Sequence, residues 1–235
     1  MFYEIRPGLF VNFEGIDGSG GDTQLTVLHQ KIKKWDKYEH ILDTHEPTRS
    51  HTKIKKKLES DQDPYSDAIE MAESYVEDRT EHTYTIIKPC IQSGIIVLCS
   101  RYKMSTCAYQ QAQGIPLAKL LEMHERRGIL KPDITFLLNV NGDAAEERRE
   151  KRGAPREKFE FREFMDKAAQ RYLELYELSL KNPNLFGRVV LIDGNPDPET
   201  VGNSIEKVFL PMYREWKGLD FPWFRLTTYG TKSGQ

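Results

Sequence analysis

Residues 9–24, LFVNFEGIDGSGGDTQ, hold the most informative pattern of this chain. An apolar run over residues 9–13 predicts a buried β-strand, and a glycine-dense turn follows it. From Leu25 onward, apolar side chains recur at helical spacing. A strand, a glycine loop and a helix in this order are typical of a phosphate-binding loop. Glycines let several backbone N–H groups point at one anion, and the helix N-terminus adds the positive end of its dipole.

The loop also departs from the usual phosphate-binding pattern, G-x-x-x-x-G-K-[ST]. The spacing from Gly15 to Gly20 fits, but Gly21 stands where a lysine normally reaches the outer phosphates. Asp22 stands where a hydroxyl normally holds Mg²⁺, and Thr23 carries its hydroxyl about 100° further round the helix. Two interpretations stay open from this stretch alone: a phosphate-binding loop that has lost two side chains, or a glycine-rich turn that binds nothing.

The composition excludes several classes of protein. The chain has 235 residues and a formal net charge of −2, so overall charge favours neither nucleic acid nor a membrane surface. No apolar run approaches the roughly 18 residues of a membrane span, and the polar start has no signal-peptide core. Three cysteines, an odd number without metal-ligand spacing, favour reduced thiols. We therefore expect a cytoplasmic protein with no nucleic-acid or membrane partner.

Strand and helix patterns alternate along the rest of the chain. Further strands are predicted over residues 40–44, 95–99, 134–140 and 189–192. Helices are predicted over residues 54–58, 63–90, 115–127, 161–180 and 199–216. This alternation is typical of an α/β domain, in which ligands bind at the carboxyl ends of parallel strands. We expect one domain over residues 1–218, with a charged flap at about 143–160 and a tail over 219–235.

Several polar side chains fall where such a domain would bind a nucleotide. Tyr75 and Arg79 share a helix face, where a ring could stack on a base and a guanidinium could bond to it. A core aromatic residue beside a surface arginine is the alternative. Arg101 directly follows a buried strand, a position suited to holding a phosphate with two hydrogen bonds. The basic flap is either a surface helix with internal ion pairs or a lid that closes over polyphosphate.

These motifs line up in order with those of one family. Over about residues 9–215, the chain resembles the thymidylate kinases, which move the γ-phosphate of ATP to dTMP. The matching stretches are FEGIDGSG, EPT at 46–48, Y-x-x-x-R at 75–79, RYxxSTxAYQ at 101–110, KPDITFLLNV at 131–140 and the RG-containing flap. The resemblance implies a five-stranded parallel sheet with helices on both faces, and a homodimer. It also implies dTMP kinase activity with ATP and Mg²⁺ in the biosynthesis of dTDP.

On the acceptor side, the resemblance implies a role for each matching residue. Tyr75 would stack on thymine, and Arg79 would bond to its carbonyl. Ser105 and Gln110 would fix the base edge, and Tyr109 would crowd the 2′ position so that a deoxy sugar is preferred. Four residues would approach the phosphate and sugar of the acceptor: Asp17, Glu46, Arg49 and Arg101.

On the donor side, the resemblance implies that the loop holds ATP and that the flap closes on it. The residues implied are Gly15, Gly18, Ser19, Gly20, Gly21, Asp22 and Thr23 in the loop, and Arg148 and Arg149 in the flap. Catalysis would depend on Asp17, Arg101, Arg152 and Arg156. Asp17 or Asp22 would recruit Mg²⁺.

The departures from the family pattern all fall on the donor side. Besides Gly21 and Asp22, Ser100 replaces a carboxylate that usually precedes the Arg-Tyr pair, and the flap's usual DRFE is EKFE at 157–160. In a first hypothesis the protein is a working dTMP kinase, with Arg152, Arg156 and Lys158 replacing the lost lysine. In a second it is an impaired homologue that binds nucleotide as a sensor or partner subunit. In a third it is a kinase for a different small acceptor.

Overall fold

A computed structural model describes residues 6–153 and 155–219 of the chain. The predicted tail therefore lies outside the described residues, apart from Leu219. The strands are β1 (Phe10–Glu14), β2 (Ile41–His45), β3 (Ile96–Ser100), β4 (Ile134–Asn139) and β5 (Arg188–Asp193). Flanking helices are α1 (Gly21–Trp35), α2 (Thr52–Ser60), α3 (Ala68–His82), α4 (Lys88–Gln92), α5 (Lys103–Ala112), α6 (Leu117–Glu125), α7 (Gly142–Arg152), α8 (Arg162–Lys181) and α9 (Pro198–Lys217).

The five strands form one sheet in the order β2-β3-β1-β4-β5, and every neighbouring pair is parallel. Val11 and Phe13 of β1 face a core formed with α1 and α9, whereas Phe10 faces the opposite side of the sheet. The prediction of a parallel sheet with helices on both faces is confirmed. The outcome follows from apolar runs too short for buried helices, separated by segments with helical spacing.

Strand β1 lies at the centre, between β3 and β4. The chain passes from β1 to β2 on one side and later crosses from β3 to β4 on the other side of β1, so a cleft opens above the carboxyl end of β1. The glycine loop enters this cleft directly from Glu14. Since all strands run the same way, Ser100 of β3 and His45 of β2 end at the same edge. The sheet therefore brings together side chains that are far apart in sequence.

The long helix after α2 begins later than the sequence predicts. The pattern predicts a start at Asp63, but the helix begins at Ala68 and continues through a π-helical turn, Thr83–Ile87, into α4. Asp61 and Asp63 accept hydrogen bonds from nearby backbone N–H groups, with Tyr65 N donating to Asp63 at 2.9 Å. Such local bonds compete with helix formation and hold this segment as turns.

Of the helices that the structure describes, none is both long enough and apolar enough to span a bilayer.

Candidate active site

Two adjoining cavities lie at the carboxyl edge of the sheet. The first, called the loop cavity, is about 580 Å³ and is bounded by the glycine loop, the flap helix α7 and residues 194–198. The second, called the aromatic cavity, is about 120 Å³ and is bounded by α3, α5 and the flap segment 157–160. Asp17 and Arg101 line both cavities. The two cavities therefore share one wall.

The glycine loop lines the loop cavity with main chain. Gly20 has a φ of 94°, a left-handed value that glycine adopts without strain, and a Cβ there would meet no described atom within 4 Å. A Cβ on Gly18 would lie 2.3 Å from the carbonyl oxygen of Ala145, so α7 can approach the loop only because that residue is glycine. The first N–H groups of α1 have no acceptor within the helix. The loop therefore has the geometry of an anion cradle.

Gly21 leaves room beside the loop where a lysine would stand. A Cβ built on Gly21 would lie 3.4 Å from the Ser100 hydroxyl oxygen and 4.0 Å from the Phe13 Cβ, which are ordinary contacts. Asp22 is exposed in the first turn of α1 and lines the loop cavity. The neighbouring side chains therefore leave space for a longer side chain at position 21.

Two flap arginines line the loop cavity. Arg148 donates from Nη2 to the carbonyl of Asn195 at 3.0 Å, which ties α7 to the loop after β5. Arg152 is 54% exposed, and its guanidinium lies 3.6 Å from the Glu160 carboxylate. Its weak pairing and exposure leave this cation free to move toward a ligand.

Two other flap arginines lie outside the loop cavity. Arg149 is buried and donates from Nη1 to the carbonyl of Glu160 at 2.7 Å. Arg156 is exposed, with its guanidinium 4.0 Å from Glu146 and 5.5 Å from the ring of Phe161. In this arrangement, Arg149 orders the flap internally and Arg156 covers its outer side.

Lys158, the third cation considered as a replacement for the loop lysine, points elsewhere. Its side chain is fully buried, and its ammonium contacts the Asp61 carboxylate, the Ser66 hydroxyl and the Asp63 carbonyl. Its backbone N–H donates to the carbonyl of Leu58 at 2.8 Å. Hydrogen bonds from Lys158 and Ser66 hold the pKa of Asp61 well below its usual range. Lys158 therefore fastens the flap to the α2–α3 connection and is not available to the loop cavity.

Arg101 forms the wall between the two cavities. Its φ of 65° lies in the left-handed region, which is uncommon for a residue other than glycine and is found at functional sites. Nη2 pairs with the Asp17 carboxylate at 2.7 Å, and Nη1 donates to the carbonyl of Gly15 at 3.3 Å. The guanidinium also lies 5.4 Å from the ring centre of Tyr109. These contacts hold a cation at the entrance to both cavities.

Glu14 joins the end of β1 to the elements around Arg101. This carboxylate is 1% exposed and accepts hydrogen bonds from the Tyr102 N–H at 2.9 Å and the Tyr172 hydroxyl at 3.1 Å. It also accepts from the Ser105 hydroxyl. A buried carboxylate is costly unless several donors of this kind satisfy its oxygens. Glu14 therefore fixes the start of α5 against the glycine loop.

Aromatic rings form the sides of the second cavity. The rings of Tyr109 and Phe159 meet edge to face with centres 5.5 Å apart, and Phe159 stacks on Phe164 at 5.1 Å. Tyr75 closes the cavity from α3. Burial raises the pKa of the Tyr75 and Tyr109 phenols, so both stay neutral. A flat, uncharged ring would fit between such walls.

Polar groups in the same cavity are deeply buried. Arg79 is 1% exposed and pairs with the Glu46 carboxylate at 2.7 Å. Within the described residues, the Arg79 Nε and the Gln110 Oε1 are buried without a hydrogen-bond partner. Such atoms are costly unless a ligand satisfies them. Arg79 thus contributes an unsatisfied donor and Gln110 an unsatisfied acceptor to the cavity wall, and the Glu46 Oε2, which also makes no hydrogen bond, is paired with Arg79.

The residues predicted for the acceptor side mostly come together here. Those that line the aromatic cavity are Asp17, Glu46, Tyr75, Arg79, Arg101, Ser105, Tyr109 and Gln110. Arg49 is exposed and is not one of the residues that line either cavity. The Ser105 hydroxyl is already bonded to Glu14 and Tyr172. All the loop residues predicted for the donor side line the loop cavity.

Residues 13–205 match the profile of the family described as thymidylate kinase. The chain belongs to the thymidylate kinase family. A probable thymidylate kinase of Staphylothermus marinus is 33% identical over 207 residues, which cover 86% of this chain and 95% of that protein. A thymidylate kinase of Sulfurihydrogenibium is 35% identical over 195 residues, covering 81% and 91%. The resemblance read from the motifs is confirmed.

A third thymidylate kinase relative, from Trichodesmium erythraeum, is 31% identical over 230 residues, covering 89% of this chain and 98% of that protein. Relatives from different organisms thus match nearly over their whole length. That extent agrees with the fold, because the two cavities together draw on residues from β1 to the start of α9.

Sequence reasoning missed several residues of this thymidylate kinase family site. Thr106, Glu157, Phe159 and Glu160 also line the aromatic cavity. Phe159 had a signal, because an aromatic residue in a highly charged flap has to pack somewhere. His124, which contacts Arg79, had none. It falls at helical spacing among leucines and looks like any core position.

The same site contains carboxylates that could hold Mg²⁺. Among the residues that the structure describes, no group of three or more histidine, cysteine or acidic side chains could hold a metal ion. Mg²⁺ in phosphoryl-transfer sites is usually held by substrate phosphates, water and one or two carboxylates. Asp17 and Asp22 both line the loop cavity and fit that pattern, as does the open glycine cradle.

Proposed function

We propose that the protein is a dTMP kinase that transfers the γ-phosphate of ATP to the phosphate of dTMP. The observation that carries the proposal is the shared wall: Asp17 and Arg101 line both the loop cavity and the aromatic cavity. A phosphoryl group passing between ligands in the two cavities would pass this arginine. Family membership and the names of the relatives support the same reaction.

The aromatic cavity would hold the acceptor nucleotide. Tyr75 and Phe159 supply ring surfaces for a base. The unsatisfied donor of Arg79 and the unsatisfied acceptor of Gln110 match a base edge with a carbonyl beside a ring N–H. Thymine and uracil have such an edge, whereas cytosine offers an amino group beside a bare ring nitrogen. Tyr109, whose hydroxyl lies 3.3 Å from the Asp17 carboxylate, would border the sugar.

The loop cavity would hold the donor. Backbone N–H groups of residues 15–23 would bind the phosphates of ATP, and Arg148 and Arg152 would supply positive charge. Mg²⁺, when bound with the nucleotide, would neutralise phosphate charge, and Asp17 and Asp22 are the cavity carboxylates that would hold it. Arg101 would orient the attacking phosphate oxygen of the acceptor and stabilise charge in the transition state. Closure of the flap would exclude water from both cavities.

The impaired-homologue hypothesis rests on the loss of the lysine and hydroxyl at Gly21 and Asp22. Three arginines nevertheless line the loop cavity: Arg101, Arg148 and Arg152. Positive charge from guanidinium groups can stabilise a transferring phosphoryl group, as arginines do in other phosphotransferases. This set of arginines supports a working kinase over a pure nucleotide binder.

A direct assay tests the proposal. The purified protein is mixed with ATP, Mg²⁺ and each of dTMP, dUMP, dCMP and dGMP, and the diphosphates are separated and counted. We expect dTDP as the main product, with dUMP used less well because it lacks the methyl group. The absence of turnover above background with every acceptor would overturn the proposal. Tight binding of dTMP without binding of ATP, measured by calorimetry, would instead support the impaired homologue.

Assembly and compartment complete the proposal. We propose a homodimer, supported by the family resemblance and by the exposed side chains of Ile69 and Ile86 on the α3–α4 helix. A cytoplasmic location is supported by the free thiols of Cys90, Cys99 and Cys107. Light scattering on the eluted peak of a sizing column gives the mass directly. A mass of about 27 kDa, that of one chain, would contradict the dimer.

A further inference from the structure

The guanidinium of Arg79 is gripped from two sides by buried residues. On one side its Nη1 lies 2.7 Å from the His124 Nε2 and 3.0 Å from the Thr106 hydroxyl. On the other side its Nη2 lies 2.7 Å from the Glu46 carboxylate. His124 is 1% exposed, and Glu46 is 3% exposed. The position of the guanidinium is therefore set by partners that water cannot replace.

The hydrogen bonds fix which nitrogen of His124 carries its proton. Nδ1 lies 2.7 Å from the backbone carbonyl of Leu120, which can only accept. Nδ1 is therefore protonated, and Nε2 is left as an acceptor for Arg79. Burial, together with the charge of Arg79, lowers the pKa of His124 well below its ordinary value. The imidazole stays neutral and keeps its acceptor.

Glu46 is braced in turn by a second histidine. The His82 Nδ1 lies 3.0 Å from the Glu46 carboxylate, and its Nε2 lies 2.8 Å from the Thr44 hydroxyl. A chain of contacts thus runs from β2 through Glu46 and Arg79 to α6. The Glu46 carboxylate attracts the guanidinium from one side. Without the His124 acceptor, only the Thr106 hydroxyl would remain on the opposite side, and the guanidinium would be drawn toward Glu46. The Nε would then move relative to the cavity.

We propose that His124 is a positioning residue, which occupies Nη1 of Arg79 and so presents Nε to the acceptor base. The proposal rests on the proposed function, because it concerns how Arg79 reads a pyrimidine carbonyl. His124 itself does not line the aromatic cavity as described. Its effect should therefore fall on discrimination between bases, not on binding of sugar, phosphate or ATP.

A base analogue separates positioning from simple packing. In the 5-methyl-2-pyrimidinone deoxynucleotide, a C4–H group replaces the 4-carbonyl of dTMP and N3 carries no hydrogen. Arg79 therefore has no carbonyl to bind, and Gln110 has no ring N–H, in every variant. We compare kcat/KM for both nucleotides in the wild type, His124→Leu, which removes the acceptor, and His124→Gln, which supplies an oxygen at similar reach. Leu120→Ala is the matched control, because it removes buried packing from the same helix and leaves the Leu120 carbonyl in place.

We expect His124→Leu to lower kcat/KM for dTMP by about 10- to 100-fold and to leave the analogue within about twofold. His124→Gln should retain most of the discrimination, and Leu120→Ala should affect both nucleotides equally. KM for ATP should not change. If His124→Leu fails to fold, His124→Asn, whose amide is too short to reach Nη1, replaces it with the same expectation.

Two results would overturn the inference, since both leave the discrimination unchanged: equal losses of kcat/KM for dTMP and the analogue in His124→Leu, or no loss for either nucleotide. Both are distinct from failure of the proposed function, which would appear as a wild-type protein that neither phosphorylates dTMP nor binds it by calorimetry. Binding constants for dTMP and the analogue, measured on the same variants without ATP, give the discrimination even if turnover is slow.

Discussion

The loop cavity and the aromatic cavity are built from different materials. The glycine loop, residues 15–23, forms one wall of the loop cavity, and one of the cavity's arginines, Arg152, is half exposed. The aromatic cavity is lined by buried side chains such as Arg79 and Gln110, each held by other side chains. A backbone cradle keeps its shape when a side chain is lost, whereas a buried network leaves a partner unsatisfied. This difference accounts for the departures at Gly21, Asp22 and Ser100, which line the loop cavity, but not for those in segment 157–160, which borders the aromatic cavity.

The largest effect on activity is expected from Arg101, which lines both cavities. Arg101→Ala should lower kcat by about 10³-fold or more, because it removes the one guanidinium that serves both ligands. Steady-state assays with ATP and dTMP measure the change. Arg171→Ala is the control, since that arginine pairs with Glu174 on the surface of α8. A loss below tenfold for Arg101→Ala would mean that phosphoryl transfer does not use the shared wall.

A lysine at position 21 tests whether the glycine loop still binds the donor phosphates and lacks only that side chain. Gly21→Lys should raise kcat/KM for ATP by about 10²-fold, since Gly21 has an ordinary φ and its Cβ would make only normal contacts. Gly21→Met is the control for size without charge and should give no such gain. If the lysine variant gains nothing, the loop does not hold the donor phosphates as proposed.

The flap segment 157–160, which borders the aromatic cavity, should contribute to the free energy of unfolding of the protein. Lys158→Met should lower the free energy of unfolding by about 2 kcal/mol, because the buried ammonium holds Asp61 and the α2–α3 connection. Urea titrations at pH 7 measure this. Lys167→Met removes an exposed pair with Glu163 and should cause no measurable change.

The same variant carries a pH dependence with a defined sign. The pKa of Asp61 is depressed in the folded protein, so the stabilisation is present above its ordinary value near 3.8 and is lost as the pH falls toward the folded value. The wild type and Lys158→Met should therefore converge in unfolding free energy as the pH falls below about 4. A difference that persisted unchanged in acid would exclude the Lys158–Asp61 pair as its source.

The smallest effect separates two flap arginines that are almost equally exposed. Arg152 is 54% exposed and lines the loop cavity, whereas Arg156 is 51% exposed and lies outside it. Arg152→Ala should raise KM for ATP about tenfold, and Arg156→Ala should change it less than about twofold. Equal effects would mean that the flap adopts another arrangement when it closes.

The fold and the site differ in how far the sequence predicts them. The parallel sheet is predictable because apolar runs such as residues 95–99 need only their own pattern to be recognised as strands. The start of α3 was predicted wrongly, because side chains of Asp61 and Asp63 compete locally with the helix. Arg79 could be proposed as a base reader from its motif, but nothing in the sequence pointed to His124 as its partner.

Local pattern and composition were enough to establish the strand–loop–helix opening, the alternation of elements, the family and the absence of a lysine at position 21. Each of these features is encoded within a few neighbouring residues. Only the folded chain decided that Lys158 turns to Asp61 rather than to phosphate, and that His124 and Glu46 meet at Arg79. Those pairings join residues 97, 45 and 33 positions apart. The partner of a buried charged side chain is therefore decided by the packing of the whole fold and not by neighbouring residues in the sequence.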